Sequence, residues 1–345
     1  MRLKKLITGL FAIVAISVLI LDAKTAITGA KEGVALCMQT VIPSLFPFFV
    51  FTNLLTTTVM GHRIPALRWF GRLCGFPSGA ESLLVIGILG GYPVGAQCIS
   101  QAYHSGQLAK DDAHRLLGFC SNAGPSFIFG ILGSMFSQRR AVWLIWVIHI
   151  ASALTAGVLI PGKEKVNSCK VSKQTPSLPA ALKNSVSALA VVCGWIVLFK
   201  TVLSFLGHWF LWLLPNSIEI VLTGVMELTN GCILLNSISH EALRFVICSA
   251  LLGLGGICVA MQTISVTGSL GTGWYFRGKI LQCILSIVLA VHTAAIMYPS
   301  QIENNMRLLP VAGILLVSYL PLFLRKKGKI AVAFPKILVY NKEKC

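Results

Sequence analysis

Two apolar segments between residues 86 and 133 are interrupted by glycine, proline and small polar residues, and this pattern constrains the fold most. The first interruption is GGYPVG, residues 90–95, and the second is SNAGPS, residues 121–126. A charged, hydrophilic link at residues 104–115 joins the two segments. In a soluble protein the pattern would indicate a helix between two loops. In a membrane it is typical of two broken helices that face each other, from which transporters build substrate sites.

Composition decides between these two interpretations. Of the 345 residues, 55% are hydrophobic and only 12% are charged, and the mean hydropathy is +0.79. A soluble domain of this length cannot bury so many apolar residues, so most of the chain is expected to lie in lipid. We therefore predict an all-α, polytopic protein of the cell membrane, with the lipid bilayer as its immediate partner.

The basic residues are arranged as membrane proteins arrange them. The net charge of +18 comes from 29 Lys and Arg residues against 11 Asp and Glu residues. The basic residues stand in short blocks beside apolar segments, at residues 2–5, 63–72, 163–183 and 325–329. Such blocks are typical of the cytoplasmic ends of membrane helices and of contact with anionic lipid headgroups. The charge therefore does not indicate a nucleic-acid partner.

Sequence signals for metal binding and catalysis are missing. The 11 cysteines lack the spacings of metal ligands or of a disulfide framework, and most lie in apolar segments, where cysteine behaves as a small hydrophobic residue. The chain also lacks the signatures of serine hydrolases, zinc peptidases and P-loop ATPases. We expect no metal, no cofactor, no catalytic residue and no enzymatic activity.

Hydropathy divides the chain into five parts. Residues 1–33 hold a first membrane helix and a loop, although a cleaved signal peptide is an alternative for the apolar run within them. Residues 34–160 form a first repeat, residues 161–184 a hydrophilic connector, and residues 185–300 a second repeat. The last part, residues 301–345, contains a final membrane helix and a basic tail.

The two predicted repeats share an order of features. Each has a long apolar segment, a short interfacial piece, a broken segment, a polar link, a second broken segment and a plain span. In the second repeat, residues 219–235 align loosely with residues 81–97, and residues 245–266 are interrupted by the GLGG of residues 253–256. Paired interruptions in corresponding halves indicate a transporter binding site. We therefore predict two repeats whose broken or re-entrant helices meet near the middle of the membrane.

The interruptions supply the candidate binding groups, because free backbone N–H groups and helix N-termini are ready partners for anions. Irregular backbone at membrane depth is stable only inside protein or beside a water-filled cavity. Ordinary close packing of small residues is the alternative. The predicted substrate-binding residues are Gly90, Gly91, Pro93, Gly95, Gln97, Ser121, Asn122, Gly124, Pro125, Ser126, Glu227, Thr229, Asn230, Gly255, Gly256 and Gln262.

Glu227 is the most informative single residue, since a carboxylate within an apolar stretch is costly and indicates a functional site. We expect it to bind a coupling cation, to carry a proton or to accept hydrogen bonds from substrate, beside Thr229 and Asn230. A glutamate at a helix end near the membrane surface is the alternative. Glu81 and Glu219 are predicted at helix starts, where a carboxylate interacts favourably with the helix dipole.

Several motifs resemble one family of membrane proteins. GYPVGAQCISQAYHSGQLAKDDAHRLLGFCSNAGPSFIFGILG, the preceding SLFPFFVFTNLL and the later GLGGICVAMQTIS resemble sporulation integral membrane proteins with nucleoside-recognition (Gate) domains. The resemblance covers about residues 30–300, and GYPVGA and SNAGPSFI are its specific part. It implies a fold similar to concentrative nucleoside transporters. The resemblance to the dipicolinate-transport branch implies passage of a small aromatic dicarboxylate into the forespore.

Together, these inferences predict a transporter of a small anionic metabolite during sporulation, with dipicolinate as the expected substrate, in the cell membrane or the forespore envelope. Two alternatives stay open. One is transport of a nucleoside or another organic anion. The other is a scaffold for spore-envelope assembly, whose function would depend on exposed loops such as residues 104–115. The sequence leaves open the coupling ion, the direction of transport and whether the chain forms a homo-oligomer.

Overall fold

A computed structural model describes residues 2–160 and 177–301 of the chain. The secondary-structure elements in these ranges are all helices, and five helical stretches are long and apolar enough to cross a membrane. They are Ala23–Val59, Arg139–Leu159, Leu178–Trp209, Glu241–Leu270 and Gly273–Met297. The predicted final membrane helix and basic tail, and most of the connector, lie outside the described residues. The prediction of an all-α, multi-pass membrane protein is confirmed for the part of the chain that the structure describes.

Residues 2–160 form nine α-helices. They are α1 (Arg2–Leu21), α2 (Ala23–Leu36), α3 (Ile42–Val59), α4 (Arg68–Cys74), α5 (Glu81–Gly90), α6 (Val94–His104), α7 (Lys110–Leu117), α8 (Pro125–Ile131) and α9 (Arg139–Leu159). A π-helical segment, Cys37–Val41, joins α2 to α3. Pro43 lies at the start of α3, just after this wider turn, and Pro47 lies within α3; neither has the amide N–H of a regular helix. The long helix therefore continues through both prolines without a break.

Residues 177–301 form six α-helices. They are α10 (Leu178–Trp209), α11 (Asn216–Met226), α12 (Leu228–Leu234), α13 (Glu241–Leu254), α14 (Gly256–Thr267) and α15 (Gly273–Met297). Glu81 and Glu219 lie in the first turns of α5 and α11, as predicted. In both halves a long helix, a short interfacial turn, two interrupted helix pairs and a plain span follow in this order. The two repeats, the five-part domain division and the likeness to concentrative nucleoside transporters stay predictions.

The two halves pack together through pairs of helices, and the helices of some pairs have the same position in the order of their halves. α2 and α3 lie along α10, and α9 packs against α15. α7 of the first half contacts α15, and α13 of the second half contacts α9. The shorter helices fill the space between the long ones, because α6 contacts α14, and α8 contacts both α3 and α12. The interrupted helices of both halves are thereby brought to one central region.

Large apolar side chains cover the outside of the molecule. Phe11, Phe51 and Ile296 are 72%, 67% and 77% exposed, respectively, and they stand on three different long helices. Contiguous exposed apolar surface is rare in soluble proteins but is what a bilayer requires of the helices that it surrounds. The outer surface therefore fits lipid as the solvent of these helices.

Gly29 and Gly33 of α2 form a GxxxG motif that faces α10, and sequence analysis had not singled them out. A β-carbon at Gly33 would lie 2.8 Å from the Cα atom of Val197 on α10. Small residues at this spacing let two membrane helices approach closely. An ion pair joins the same two helices, with 3.1 Å between Nζ of Lys200 and Oε2 of Glu32.

We expect Gly33→Leu to lower the thermal unfolding midpoint of the purified chain, because leucine would force α2 away from α10. Overpacking of this kind costs about 1–3 kcal/mol. Gly194→Leu on α10 is the matched control, since among the described residues only the nearby backbone of α10 itself lies within 4 Å of a β-carbon placed there. Thermal unfolding in detergent, followed by tryptophan fluorescence, measures both variants. Equal midpoints for the two variants would contradict the close approach of these helices.

Candidate functional site

The two interruptions of the first half lie against each other. The first break, residues 91–93, separates α5 from α6, and the second break, residues 118–124, separates α7 from α8. A β-carbon at Gly91 would lie 2.8 Å from the amide nitrogen of Gly124. Gly91 also has a φ of +71°, a backbone conformation that favours glycine. Both predicted interruptions are thus present, and glycine backbones make the contact between them.

The second half is interrupted at Glu227, the third break, and at Gly255, the fourth break. Gly255 has a φ of +79°. The hydroxyl of Tyr92, which belongs to the first break, would lie 3.1 Å from a β-carbon at Gly255. The same hydroxyl donates a hydrogen bond to the carbonyl oxygen of Leu252, at 3.4 Å. The breaks of the two halves therefore meet at Tyr92.

Lys279 of α15 lies beside this meeting point and is only 2% exposed. Its Nζ is 2.7 Å from Oε1 of Gln282, 3.2 Å from the Tyr92 hydroxyl and 3.3 Å from Oδ1 of Asn122. All three acceptors are neutral, and no carboxylate among the described residues lies within 4 Å of this ammonium group. A buried charge without a counter-charge is costly. When Lys279 is protonated, this region carries an unpaired positive charge.

Asn122 ties this cluster to the second break. Its Oδ1 accepts hydrogen bonds from Lys279 and from Nε2 of Gln282, the latter at 3.0 Å. On α9, Nε2 of His149 accepts a hydrogen bond from the amide of Ala123, at 3.0 Å. Nε2 of Gln282 also donates to the backbone carbonyl of His149, at 3.2 Å. The second break, α9 and α15 are thus linked by polar contacts in the interior of the bundle.

Sequence analysis missed Lys279, because basic residues at the start of an apolar segment usually mark a membrane surface. The structure instead begins α15 at Gly273 and turns Lys279 inward. The signal that could have found it is a set of polar residues at positions i, i+4, i+7 and i+11, which share one face of a helix. These buried residues are Tyr275, Lys279, Gln282 and Ser286. Polar residues inside a membrane helix face the bundle interior and indicate function.

A narrow cavity between the two halves is lined by seven of the sixteen predicted binding residues. They are Gly90, Gly91, Gly124, Ser126, Glu227, Thr229 and Gln262. The ring of Tyr92 lines the same cavity. Its volume is about 30 Å³, which leaves room for two water molecules at most. In this conformation the cavity is therefore closed to a metabolite.

The other nine predicted residues do not line this cavity. They are Pro93, Gly95, Gln97, Ser121, Asn122, Pro125, Asn230, Gly255 and Gly256. Two serines of the predicted set, Ser121 and Ser126, are buried, and their hydroxyls have no hydrogen-bond partner among the described residues. Buried polar groups normally have partners, so an orphaned hydroxyl marks a place where water or a ligand can bind. Of the two serines, only Ser126 faces the narrow cavity.

The carboxylate of Glu227 caps α12. Its Oε1 accepts a hydrogen bond from the amide of Thr229 at 3.1 Å, and its Oε2 accepts from the amide and the side chain of Asn230, both at 2.7 Å. A carboxylate at a helix N-terminus satisfies free amides and interacts favourably with the dipole. Glu227 is buried, and residues of α12 donate the hydrogen bonds that its carboxylate accepts. Its role in binding a cation or carrying a proton stays a prediction.

The hydrophilic link at residues 104–115 is only partly an exposed loop. Arg115 is buried and caps the C-terminus of α4, where its side chain donates to the carbonyl oxygens of Cys74 and Gly75. Asp112 is buried beside it, with 3.8 Å between Oδ1 and Nη1 of Arg115. Burial raises the pKa of the Asp112 carboxyl, and the neighbouring Arg115 partly offsets this shift. The expectation of an exposed loop is therefore wrong for these two residues.

The fold and the central breaks define the class: a multi-pass, α-helical membrane protein whose helices are interrupted in the interior of the bundle. The chain is similar to the sporulation integral membrane protein YlbJ of Bacillus subtilis (strain 168), with 23% identity over 83% of this chain and 82% of that protein. No protein-family model matches the chain, and no solved structure matches it. The similarity supports the resemblance to sporulation membrane proteins. The Gate domains and the dipicolinate-transport branch stay predictions.

Proposed function

We propose that this chain carries a small organic anion across a membrane during sporulation. The observation that carries this function is the meeting of breaks from both halves at Tyr92, beside the buried ammonium group of Lys279. Transporters place substrate at such meetings of interrupted helices. The similarity to YlbJ supports a role in sporulation, and the resemblance of the GYPVGA and SNAGPSFI motifs makes dipicolinate the expected substrate.

Interrupted helices suit alternating access, because their short pieces can shift while the long helices stay packed. Gly91 and Gly255 are the points at which such shifts would occur, since each has a positive φ and neither has a side chain to hinder rotation. The narrow cavity beside them holds two waters at most, so it represents an occluded state in this mechanism. A shift of the short helices would open it to substrate.

An anion fits this centre better than a nucleoside does. The central lysine has neutral acceptors but no carboxylate partner within the described residues. In this proposal Asn122 and the N–H groups of the first two breaks face the substrate. Glu227, Thr229 and Asn230 supply the coupling or gating group, with either a cation or a proton as the coupled ion. We also propose that the chain is not an enzyme and needs no cofactor.

The test is the dipicolinate content of spores made by the organism that produces this chain. We expect chromosomal Asn122→Ala and Glu227→Gln each to lower the content at normal protein level. Asn53→Ala is the matched control, because Asn53 lies in α3 and its side chain donates to Phe49 and Ser185, neither of which belongs to a break. If both site variants leave spore dipicolinate unchanged, the site assignment is wrong. If deleting the whole gene leaves it unchanged, dipicolinate is not the cargo.

A further inference from the structure

A second cavity, of about 180 Å³, lies between α11, α14 and α15. It is about six times as large as the narrow cavity. The side chains of Leu254, Met261 and Phe276 are among those that line it. An apolar cavity of this size can hold a group as large as benzene. The cavity therefore has room for an apolar ligand or for part of one.

The walls of this cavity are apolar. Lys279 lines it with its aliphatic stem, because its ammonium group donates to three residues that lie outside the cavity. Buried water needs several polar partners, so a cavity with such walls stays dry. A charged or strongly polar ligand would lose its hydration without gaining partners there. The walls therefore fit a hydrocarbon group.

The cavity reaches the outer surface between two helices that are predicted to cross the membrane. Ile257 and Ile280 line it and, within the described part of the chain, are 39% and 54% exposed. Ile257 stands near the middle of the membrane-spanning stretch Glu241–Leu270. Ile280 follows the start of α15 by two helical turns, about 10 Å along the helix axis. The mouth of the cavity therefore lies at the depth of the hydrocarbon, where lipid acyl chains surround the protein.

Two of the helix breaks border this cavity. Gly256 lines it directly after the fourth break, and Val225 lines it two residues before Glu227 at the third break. A β-carbon at Gly256 would lie 3.0 Å from the carbonyl oxygen of Val225, so the end of α11 and the start of α14 are in close contact. A group in the cavity therefore lies against both helix ends.

We propose that this cavity binds the acyl chain of a membrane lipid, which enters from the bilayer between Ile257 and Ile280. The chain packs against Leu254, Met261 and Phe276, and dispersion contacts with these walls stabilise it. The lipid headgroup stays at the membrane surface. Because the chain lies against the ends of α11 and α14, it opposes movement of these helices at the third and fourth breaks. This lipid site goes beyond the proposed function and does not depend on it.

The test is photolabelling of the full chain in phosphatidylcholine nanodiscs, in which some of the lipid carries a diazirine at the end of one acyl chain. Mass spectrometry then locates the labelled residues. We expect label on Ala260 and Tyr275, which line the cavity but are only 4% and 1% exposed, so that lipid outside the molecule does not reach them. Lipid that carries the diazirine beside its headgroup should label neither residue, because the cavity lies at the depth of the hydrocarbon.

Variants of the cavity sharpen this test. Ala260→Phe fills the cavity and should abolish the label on Tyr275, and its thermal unfolding midpoint shows whether it is folded. If it does not fold, Ile280→Trp narrows the mouth from an exposed position and should reduce the same label. Ile296→Trp is the control, because Ile296 of α15 is 77% exposed and does not line the cavity. Its label on Tyr275 should equal that of the unmodified chain.

Two outcomes would overturn the site. Label that persists on Tyr275 in folded Ala260→Phe would place the acyl chain elsewhere. Absence of label from Ala260 and Tyr275, while exposed Ile296 is labelled, would assign the mouth of the cavity to another part of the protein, such as the predicted final membrane helix. Neither measurement involves uptake, so failure of the lipid site would leave the proposed transport intact.

Discussion

Gly87→Ala is expected to destabilise the chain strongly, because the added methyl group would overlap with packed backbone. A β-carbon at Gly87 would lie 1.8 Å from the carbonyl oxygen of Cys120, in the second break. A β-carbon at Gly95, on the next helix, would lie 2.4 Å from the same oxygen. The oxygen belongs to backbone that is packed between α5 and α6, so it cannot move aside alone. We expect a loss of about 3 kcal/mol or more.

The yield of monodisperse protein and its thermal unfolding midpoint in detergent measure this effect. Gly194→Ala is the matched control, because the same change is made inside α10, where among the described residues only nearby backbone of α10 itself lies within 4 Å of the new carbon. In an open helical position alanine is favoured over glycine by about 1 kcal/mol. The two substitutions should therefore shift the midpoint in opposite directions. A Gly87→Ala variant as stable as the unmodified chain would contradict the packing of α5 on the second break.

Asn122→Leu is the second substitution for which we expect a large loss of stability, and this loss arises from charge rather than from volume. Leucine has a similar size but removes the Oδ1 atom that accepts from both Lys279 and Gln282. Two buried donors would lose an acceptor, and one of them is the ammonium group. Leaving such groups unsatisfied costs about 1–3 kcal/mol each. We expect the thermal midpoint to fall sharply and any anion uptake to fall with it.

Asn53→Leu provides the comparison for Asn122→Leu. Asn53 also lies in a helix long enough to span the membrane, but within the described part of the chain its Nδ2 donates only to the carbonyl of Phe49, at 2.9 Å, and to the hydroxyl of Ser185, at 3.0 Å. It is half-buried and its partners are neutral, so its loss should cost about 1 kcal/mol. Equal losses of stability in the two variants would contradict a special role for the charge on Lys279.

The helix breaks could be predicted from the sequence because their causes are local. In GGYPVG and SNAGPS, glycine permits unusual backbone angles and proline removes an amide donor, whatever surrounds them. The capping of α12 by Glu227 could also have been predicted from the sequence. The carboxylate oxygens of Glu227 accept hydrogen bonds from the backbone amides two and three residues later, a spacing that is typical of helix starts. Sequence analysis instead gave more weight to the cost of a carboxylate in an apolar stretch.

The hydrogen-bond partners of Lys279 could not be predicted because they are distant in the chain. Tyr92 and Asn122 precede it by 187 and 157 residues. The spacing of Tyr275, Lys279 and Gln282 in YFRGKILQC indicates one polar helix face, but it does not show which distant residues that face meets. Arg115 shows the same limit, since the carbonyl groups that it caps lie about 40 residues earlier. The hydrophilic composition of residues 104–115 indicated exposure to solvent. In the fold, however, Arg115 is buried beside the backbone carbonyl groups that accept its hydrogen bonds.

Uptake of dipicolinate into proteoliposomes that contain the purified chain, with and without an imposed ion gradient, tests transport most directly. The account predicts saturable uptake above that of protein-free vesicles and its loss in Asn122→Leu. Gly194→Ala, reconstituted at the same density, should transport as the unmodified chain does. Absence of uptake by folded, unmodified protein under every gradient would contradict the proposal that this membrane protein is a dipicolinate carrier.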